Sequence, residues 1–76
     1  KNDTEILRQI NKIICKILSI KSNYKNNIQM KNVSNWDSLN HFNIISTIEK
    51  KFQKKFNSKQ LFNLESSYQI LIAIKN

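Results

Sequence analysis

A serine preceded by an aspartate is the pair of residues in this chain that is best suited to chemistry. Ser38 follows Asp37 directly, at the point where a polar stretch gives way to a periodic apolar one. Asp and Ser are both favoured at helix starts, where their oxygens accept backbone N–H bonds. A hydroxyl at such a position can cap the helix, act as a nucleophile, or carry a covalently attached group.

Nucleophilic catalysis by Ser38 would need a general base within hydrogen-bond reach and donors for a developing oxyanion. The sole histidine, His41, lies three residues further along the chain. Helical periodicity directs it into the apolar stripe of Ile45, Ile48 and Phe52, so we expect it to face inward as a structural residue. The chain also lacks glycine for a strained nucleophile turn. These features disfavour a serine hydrolase.

Four helices are predicted around this position. The first spans about Asp3–Leu18, because apolar residues recur there every three or four positions. Asn2 and Glu5 have the spacing of a capping box at its start. Cys15 falls opposite the apolar stripe on a helical wheel, so we expect a surface thiol. The stripe consists of Ile6, Leu7, Ile10, Ile13, Ile14, Ile17 and Leu18.

A long loop is predicted over residues 19–37, and isolated apolar residues should hold it against the core. Loops of this length are usually functional or disordered, and the spaced apolar residues favour an ordered one. Met30 and Trp36 are expected to anchor the loop rather than to bind a cofactor. The full set of anchors is Ile20, Tyr24, Ile28, Met30, Val33 and Trp36.

The second helix should begin at Asp37 or Ser38 and end near Phe52. Asp37 complements the positive helix end, and lysines crowd the opposite end. Its apolar face consists of Phe42, Ile45, Ile48 and Phe52, widened by Ile44.

Two shorter helical segments are predicted after it. Ser58 should cap a turn over residues 59–63, with core contacts from Leu61, Phe62 and Leu64. Ser66 and Gln69 should form a capping box for a last helix, with Ile70, Leu71 and Ile74 facing inward. The expected fold is therefore all-α: one domain over residues 1–76, forming a small antiparallel four-helix bundle with three longer helices, one short helix and a long loop between helices 1 and 2.

Size and composition restrict the function classes. A chain of 76 residues buries only about 60% of its unfolded surface, which leaves little room for a large internal active site. One cysteine and one histidine cannot form a disulfide framework or a structural zinc site, so no metal is expected. No apolar run approaches the roughly 20 residues that cross a bilayer, and no secretion signal is evident. We expect a cytoplasmic monomer without a membrane span.

The net charge of +8 offers an alternative function. A basic helical module could bind nucleic acid or another anionic surface through the five lysines that fall within ten residues. These lysines lack the interleaved aromatic residues on which single-stranded bases stack, so nucleic acid is the weaker expectation. The lysines are Lys50, Lys51, Lys54, Lys55 and Lys59.

The segment over residues 36–45, with Glu49 and Phe52 after it, resembles the Asp-Ser-Leu region of acyl carrier proteins and related peptidyl carrier domains. The resemblance extends along essentially the whole chain, from the apolar first helix through the loop ending in Trp36 to the Ser66-capped last helix. It implies that Ser38 receives 4′-phosphopantetheine from coenzyme A. The terminal thiol of that arm would hold an acyl or aminoacyl cargo as a thioester, and the chain would present the cargo to partner enzymes. The resemblance thus implies that the chain itself is not an enzyme.

The resemblance also implies roles for individual residues. Asp37, Leu39, Asn43 and Ser46 would be read by the transferase or by other partners. Phe42 would line the groove for the arm or acyl chain, or else close the core, and Ile45 would line the same groove. The partners would be a phosphopantetheinyl transferase, an acyl- or aminoacyl-loading ligase, and a downstream acyltransferase or synthase.

One departure from the family concerns charge. Carriers of fatty acid synthesis typically present an acidic second helix, whereas the outward positions here hold one acidic residue, Glu49, and otherwise neutral or basic side chains. Complementary charge governs which partners a protein meets and rejects. We therefore expect a specialised pathway, such as secondary metabolism or the modification of a surface polymer. A carrier-shaped subunit without an arm is a further alternative, which the intact Asp-Ser-Leu tripeptide disfavours.

Overall fold

Four α-helices and one short 3₁₀ turn make up the computed structural model, which describes residues 3–21, 24 and 26–75. No strand occurs within these residues, and the predicted all-α helical bundle is confirmed. α1 packs against both α2 and α4. The elements are α1 (Asp3–Leu18), the 3₁₀ turn (Met30–Asn32), α2 (Ser38–Phe52), α3 (Ser58–Asn63) and α4 (Ser67–Lys75).

α1 has the predicted bounds, but it buries a different face from the one that its apolar stripe indicates. Ile6, Ile13 and Ile17 are only half-buried, whereas Asn11 and Cys15 are buried. At about 100° per residue, the buried face is rotated by roughly 60° from the middle of the stripe. The proposed capping partner Asn2 lies outside the described residues.

The expectation of a surface thiol at Cys15 is wrong, because the side chain is only 4% exposed. The long loop covers this side of α1: the Asn11 side chain donates to the Asn26 carbonyl at 2.8 Å, and the Asn35 side chain donates to the Leu18 carbonyl at 3.1 Å. Burial raises the pKa of the Cys15 thiol, since the thiolate would lose its hydration. The loop therefore buries the side of α1 that carries Asn11 and Cys15.

The loop is also the partner of α4. The Met30 amide donates to the Glu65 carbonyl at 2.8 Å, and the Ser67 amide donates to the Ile28 carbonyl at 2.9 Å. In return, the Ile28 amide donates to the Ser67 hydroxyl at 2.8 Å. Ile28 and Trp36 are buried, and the other predicted anchors pack half-buried against the core. The described part of the loop is therefore held by both backbone bonds and apolar contacts.

The caps of the two short helices differ in detail from their predictions. Asn57, rather than Ser58, caps α3, because the Gln60 amide donates to Asn57 Oδ1 at 2.8 Å and Gln60 Oε1 accepts from the Asn57 amide at 3.2 Å. At α4, the Gln69 amide donates to the Ser66 hydroxyl at 3.3 Å as expected. The Gln69 side chain, however, accepts from the amide of Glu65 at 3.0 Å, one residue earlier than a capping box requires.

α2 ends in a left-handed residue that is not glycine. Gln53 has φ 54° and ψ 49°, and the amides of Gln53 and Lys54 both donate to the Glu49 carbonyl. A β-carbon costs about 1 kcal/mol or more in this conformation, which glycine adopts freely.

We therefore expect Gln53→Gly to raise the free energy of unfolding by about 0.5–1 kcal/mol, since relief of the strain outweighs the extra freedom of the unfolded chain. Urea unfolding followed by circular dichroism measures this change. Gln53→Ala is the matched control, because it removes the side chain but keeps the β-carbon, and it should give no increase. Equal stability of the two variants would contradict the explanation.

Candidate functional site

Asp37 rather than Ser38 caps the second helix. Its backbone is extended, with φ −98° and ψ −174°, and its Oδ1 accepts from the Asn40 amide at 2.9 Å. Ser38 is the first residue of α2 and is exposed. Within the described part of the chain, its hydroxyl donates no hydrogen bond. The capping role is thus filled by the neighbour, and the serine oxygen stays accessible at the start of the helix.

His41 faces inward as predicted, with 8% of its surface exposed. The Trp36 indole Nε1–H donates to His41 Nδ1 at 2.9 Å, so Nδ1 is an acceptor and the ring proton lies on Nε2. Nε2 then donates to the Leu61 carbonyl at 2.7 Å. Both ring nitrogens are therefore engaged in the interior, and neither can serve as a base for Ser38.

Two asparagines fix the first turn of α2 to the rest of the fold. The Asn40 side chain donates to the Asn35 carbonyl at 2.7 Å, and the Asn35 side chain donates to the Leu18 carbonyl at 3.1 Å. The end of α1, the loop and the start of α2 are joined in this way around Ser38. Sequence reasoning missed both residues. A local signal exists only for Asn40, because asparagine side chains often bind nearby backbone in turns, whereas the bond from Asn35 spans 17 residues.

A cavity of about 300 Å³ opens beside Ser38. It lies between the start of α2, α3 and the loop, so three separate segments form its walls. Its walls are mainly apolar side chains, with a hydroxyl, an imidazole and a carboxylate among them. The lining residues are Met30, Ser38, His41, Phe42, Leu61, Phe62 and Glu65.

Two phenylalanines at this cavity correct the expected core. Phe42 is 59% exposed and Phe62 is 74% exposed, although both were candidates for core packing. Phe42 lies outside the buried face of α2, which consists of His41, Ile44, Ile45 and Ile48. Leu61 is half-buried and Leu64 is buried, as predicted for that segment. The two rings leave an apolar surface next to the serine.

The other predicted site residues are spread along α2. Leu39 is 70% exposed and Asn43 is exposed, while Ser46 is half-buried and lines a different hollow toward the end of the helix. Ile45 is buried in the core and does not line the cavity beside Ser38, so its expected place in a groove does not match this cavity.

Among the described residues, no group of three or more His, Cys, Asp and Glu side chains comes together as a metal site would require. No described helix is long and apolar enough to span a membrane.

His41→Ala should lower the free energy of unfolding by about 2–4 kcal/mol, because it leaves a buried indole N–H and the Leu61 carbonyl without their partner. It should also accelerate hydrogen exchange of the indole N–H, which gives a single resonance because the chain has one tryptophan. Asn43→Ala, at an exposed position of the same helix, is the control and should change neither quantity. An indole proton that exchanges equally slowly without His41 would refute the assigned bond.

The chain was also compared with known proteins at the levels of family, sequence and structure. No family model, curated protein or solved structure matches it.

Proposed function

We propose that this chain is a carrier protein that receives 4′-phosphopantetheine on Ser38 and holds an acyl or aminoacyl cargo as a thioester on that arm. The observation that carries the proposal is the accessible Ser38 hydroxyl, at the first turn of α2, with Asp37 taking the cap and an open apolar cavity alongside. The resemblance to the Asp-Ser-Leu region of carrier proteins supplies the identity of the group.

The attachment step needs little from the chain itself. The Ser38 oxygen would form a new bond to phosphorus while the pyrophosphate bond of coenzyme A breaks and the nucleotide leaves. The hydroxyl proton would pass to a base of the transferase, because both nitrogens of His41 are already engaged. The chain would act as the substrate of this reaction and afterwards as a carrier.

The start of α2 suits a phosphodiester. Backbone N–H groups in the first turn of a helix have no intrahelical acceptor, and the helix dipole places partial positive charge there. Asp37 takes the Asn40 amide, which leaves the amides of Ser38 and Leu39 in that turn. A phosphate on the Ser38 oxygen would lie next to them, as anions do at helix starts. The arm's terminal thiol would supply the thioester chemistry.

The surface of α2 favours a specialised set of partners. Its one acidic residue, Glu49, accepts a hydrogen bond from the Phe56 amide at 2.8 Å, so its charge is directed toward backbone. Asn43, Thr47 and Lys50 are exposed on the same helix. Loading and downstream enzymes would therefore meet Asp37, Leu39, Asn43 and Ser46 without the acidic face that fatty-synthase partners read. A ligase and a synthase or acyltransferase of a dedicated cytoplasmic pathway fit this surface best.

The competing function is a basic module for anionic polymers. Lys50, Lys54 and Lys55 line an open hollow of about 550 Å³ together with Ser46, Glu49 and Gln53. This hollow lies at the C-terminal end of α2, where helix carbonyls attract cations and repel phosphates. The lysines there complement the helix dipole, and Glu49 adds a negative charge to the same hollow. Both features disfavour phosphate binding at this hollow.

Incubation with coenzyme A and a broad-specificity phosphopantetheinyl transferase tests the proposal through intact mass. We expect the protein to gain the mass of one phosphopantetheinyl group and Ser38→Ala to gain none. Ser34→Ala alters an exposed serine of the preceding loop and is the matched control, which should be modified like the native chain. No gain on the native chain would refute the function, and a gain that persists in Ser38→Ala would refute the site.

A filter-binding titration with double-stranded DNA tests the alternative. We expect a dissociation constant weaker than about 10⁻⁴ M at physiological salt, the weak end of non-specific binding. Replacing Lys50, Lys51, Lys54 and Lys55 by glutamine should leave Ser38 modification intact. Micromolar binding that falls steeply with salt, and is lost in the glutamine variant, would favour the basic module instead.

A further inference from the structure

Four of the five acidic side chains in this chain make a hydrogen bond or an ion pair within the fold, and all five lie in the described residues. The remaining one, Glu65, makes no hydrogen bond or ion pair through its carboxylate within that part of the chain. The engaged carboxylates are Asp3 with Lys75 at 2.8 Å, Glu5 with Arg8 at 3.7 Å, Asp37 with the Asn40 amide at 2.9 Å and Glu49 with the Phe56 amide at 2.8 Å.

The backbone of Glu65 is firmly held, although its carboxylate is not engaged. Its carbonyl accepts from the Met30 amide at 2.8 Å, and its amide donates to Gln69 Oε1 at 3.0 Å. Lys31 borders a neighbouring hollow with Glu65, but no ion pair within 4 Å joins the two side chains. Glu65 is exposed and lines the cavity beside Ser38, so its unengaged carboxylate can reach an occupant of that cavity.

The rest of the cavity wall is unsuited to a negative charge on its own. Met30, Phe42, Leu61 and Phe62 supply apolar surface, and an apolar occupant would displace part of the water around the exposed Glu65 carboxylate without replacing its hydrogen bonds. An occupant with an ammonium group restores those bonds with a charge-assisted one. The walls therefore favour an occupant that is apolar along its length and cationic at one point.

The size of the cavity restricts the occupant further. About 300 Å³ is at the lower end of the volumes of ligand sites, so the cavity can take the end of a folded-back arm with a small cargo, but not a long acyl chain. Aminoacyl thioesters combine small size with a free ammonium group next to the thioester carbonyl.

We propose that the cavity beside Ser38 retains a small aminoacyl cargo, and that the Glu65 carboxylate binds the ammonium group of that cargo. This inference rests on the proposed carrier function and names the cargo class of the same site. Among acyl groups of equal size, the one with the ammonium group stays docked for a larger fraction of time.

The test compares two arms of equal size on Ser38. A transferase attaches arms whose thioester is replaced by a stable amide, bearing either a glycyl group or a propionyl group. Both acyl groups have a methylene next to the carbonyl. Nuclear Overhauser contacts between its protons and the rings of Phe42 and Phe62 report the docked fraction. We expect the ratio of docked to free arm to be about two- to fivefold higher for glycyl, as the energy of a partly exposed ion pair allows.

Variants separate the contribution of the Glu65 charge from general packing. Glu65→Gln should abolish the difference between the two arms, and Glu5→Gln, which removes a carboxylate on α1, should preserve it. Lys31→Gln should keep or increase the difference, because it removes a competing cation. Equal docking of glycyl and propionyl in the native chain overturns the inference while leaving the carrier function intact. If no arm attaches to Ser38, the carrier function fails and the inference fails with it.

Discussion

The buried hydrogen bonds of His41 are the constraint on which the rest of the site depends. One imidazole accepts from the Trp36 indole and donates to the Leu61 carbonyl, so it joins the end of the loop, α2 and α3. α3 has six residues, too few to be stable alone, and needs such an external attachment. Because Leu61 and Phe62 form walls of the cavity beside Ser38, the same ring determines where that cavity opens.

Asparagine and serine side chains do in this chain what glycine and proline do in most loops, since the chain contains neither of those residues. Asn27 accepts from the Tyr68 amide and Asn57 from the Gln60 amide, so each supplies a cap at a helix start. Ser19 and Gln53 adopt left-handed backbone angles at helix ends without glycine. The described part of the long loop is bound to α1 and α4 by hydrogen bonds.

The parts of the fold that repeat every three or four residues could be predicted from the sequence, and the parts set by single long-range contacts could not. The bounds of α1 and α2, the inward His41 and the cap at Asp37 all follow from local pattern. A helical wheel places Cys15 on the surface because it assumes that only the apolar stripe of α1 is covered. Here the loop covers the polar side of the helix as well. The exposure of Phe62 could not be predicted, because it depends on how the hydrogen bond from His41 to the Leu61 carbonyl orients α3. At the site, the position of Ser38 could be predicted, but its cavity is built from three segments whose meeting no local pattern encodes.

The distribution of charge in this strongly basic chain bears on the cargo preference that we propose for the cavity beside Ser38. With a net charge of +8, nearly every carboxylate that the chain possesses is used within the fold, and none is left for an acidic docking face on α2. An acidic docking face therefore cannot select the partners of the proposed carrier, which leaves shape and short-range contact around Leu39, Phe42 and Phe62 to do so. In such a background the single disengaged carboxylate, at Glu65, has few competing anions nearby. Because Glu65 lines the cavity beside Ser38, it would give the proposed carrier a modest preference for a cationic group in its cargo.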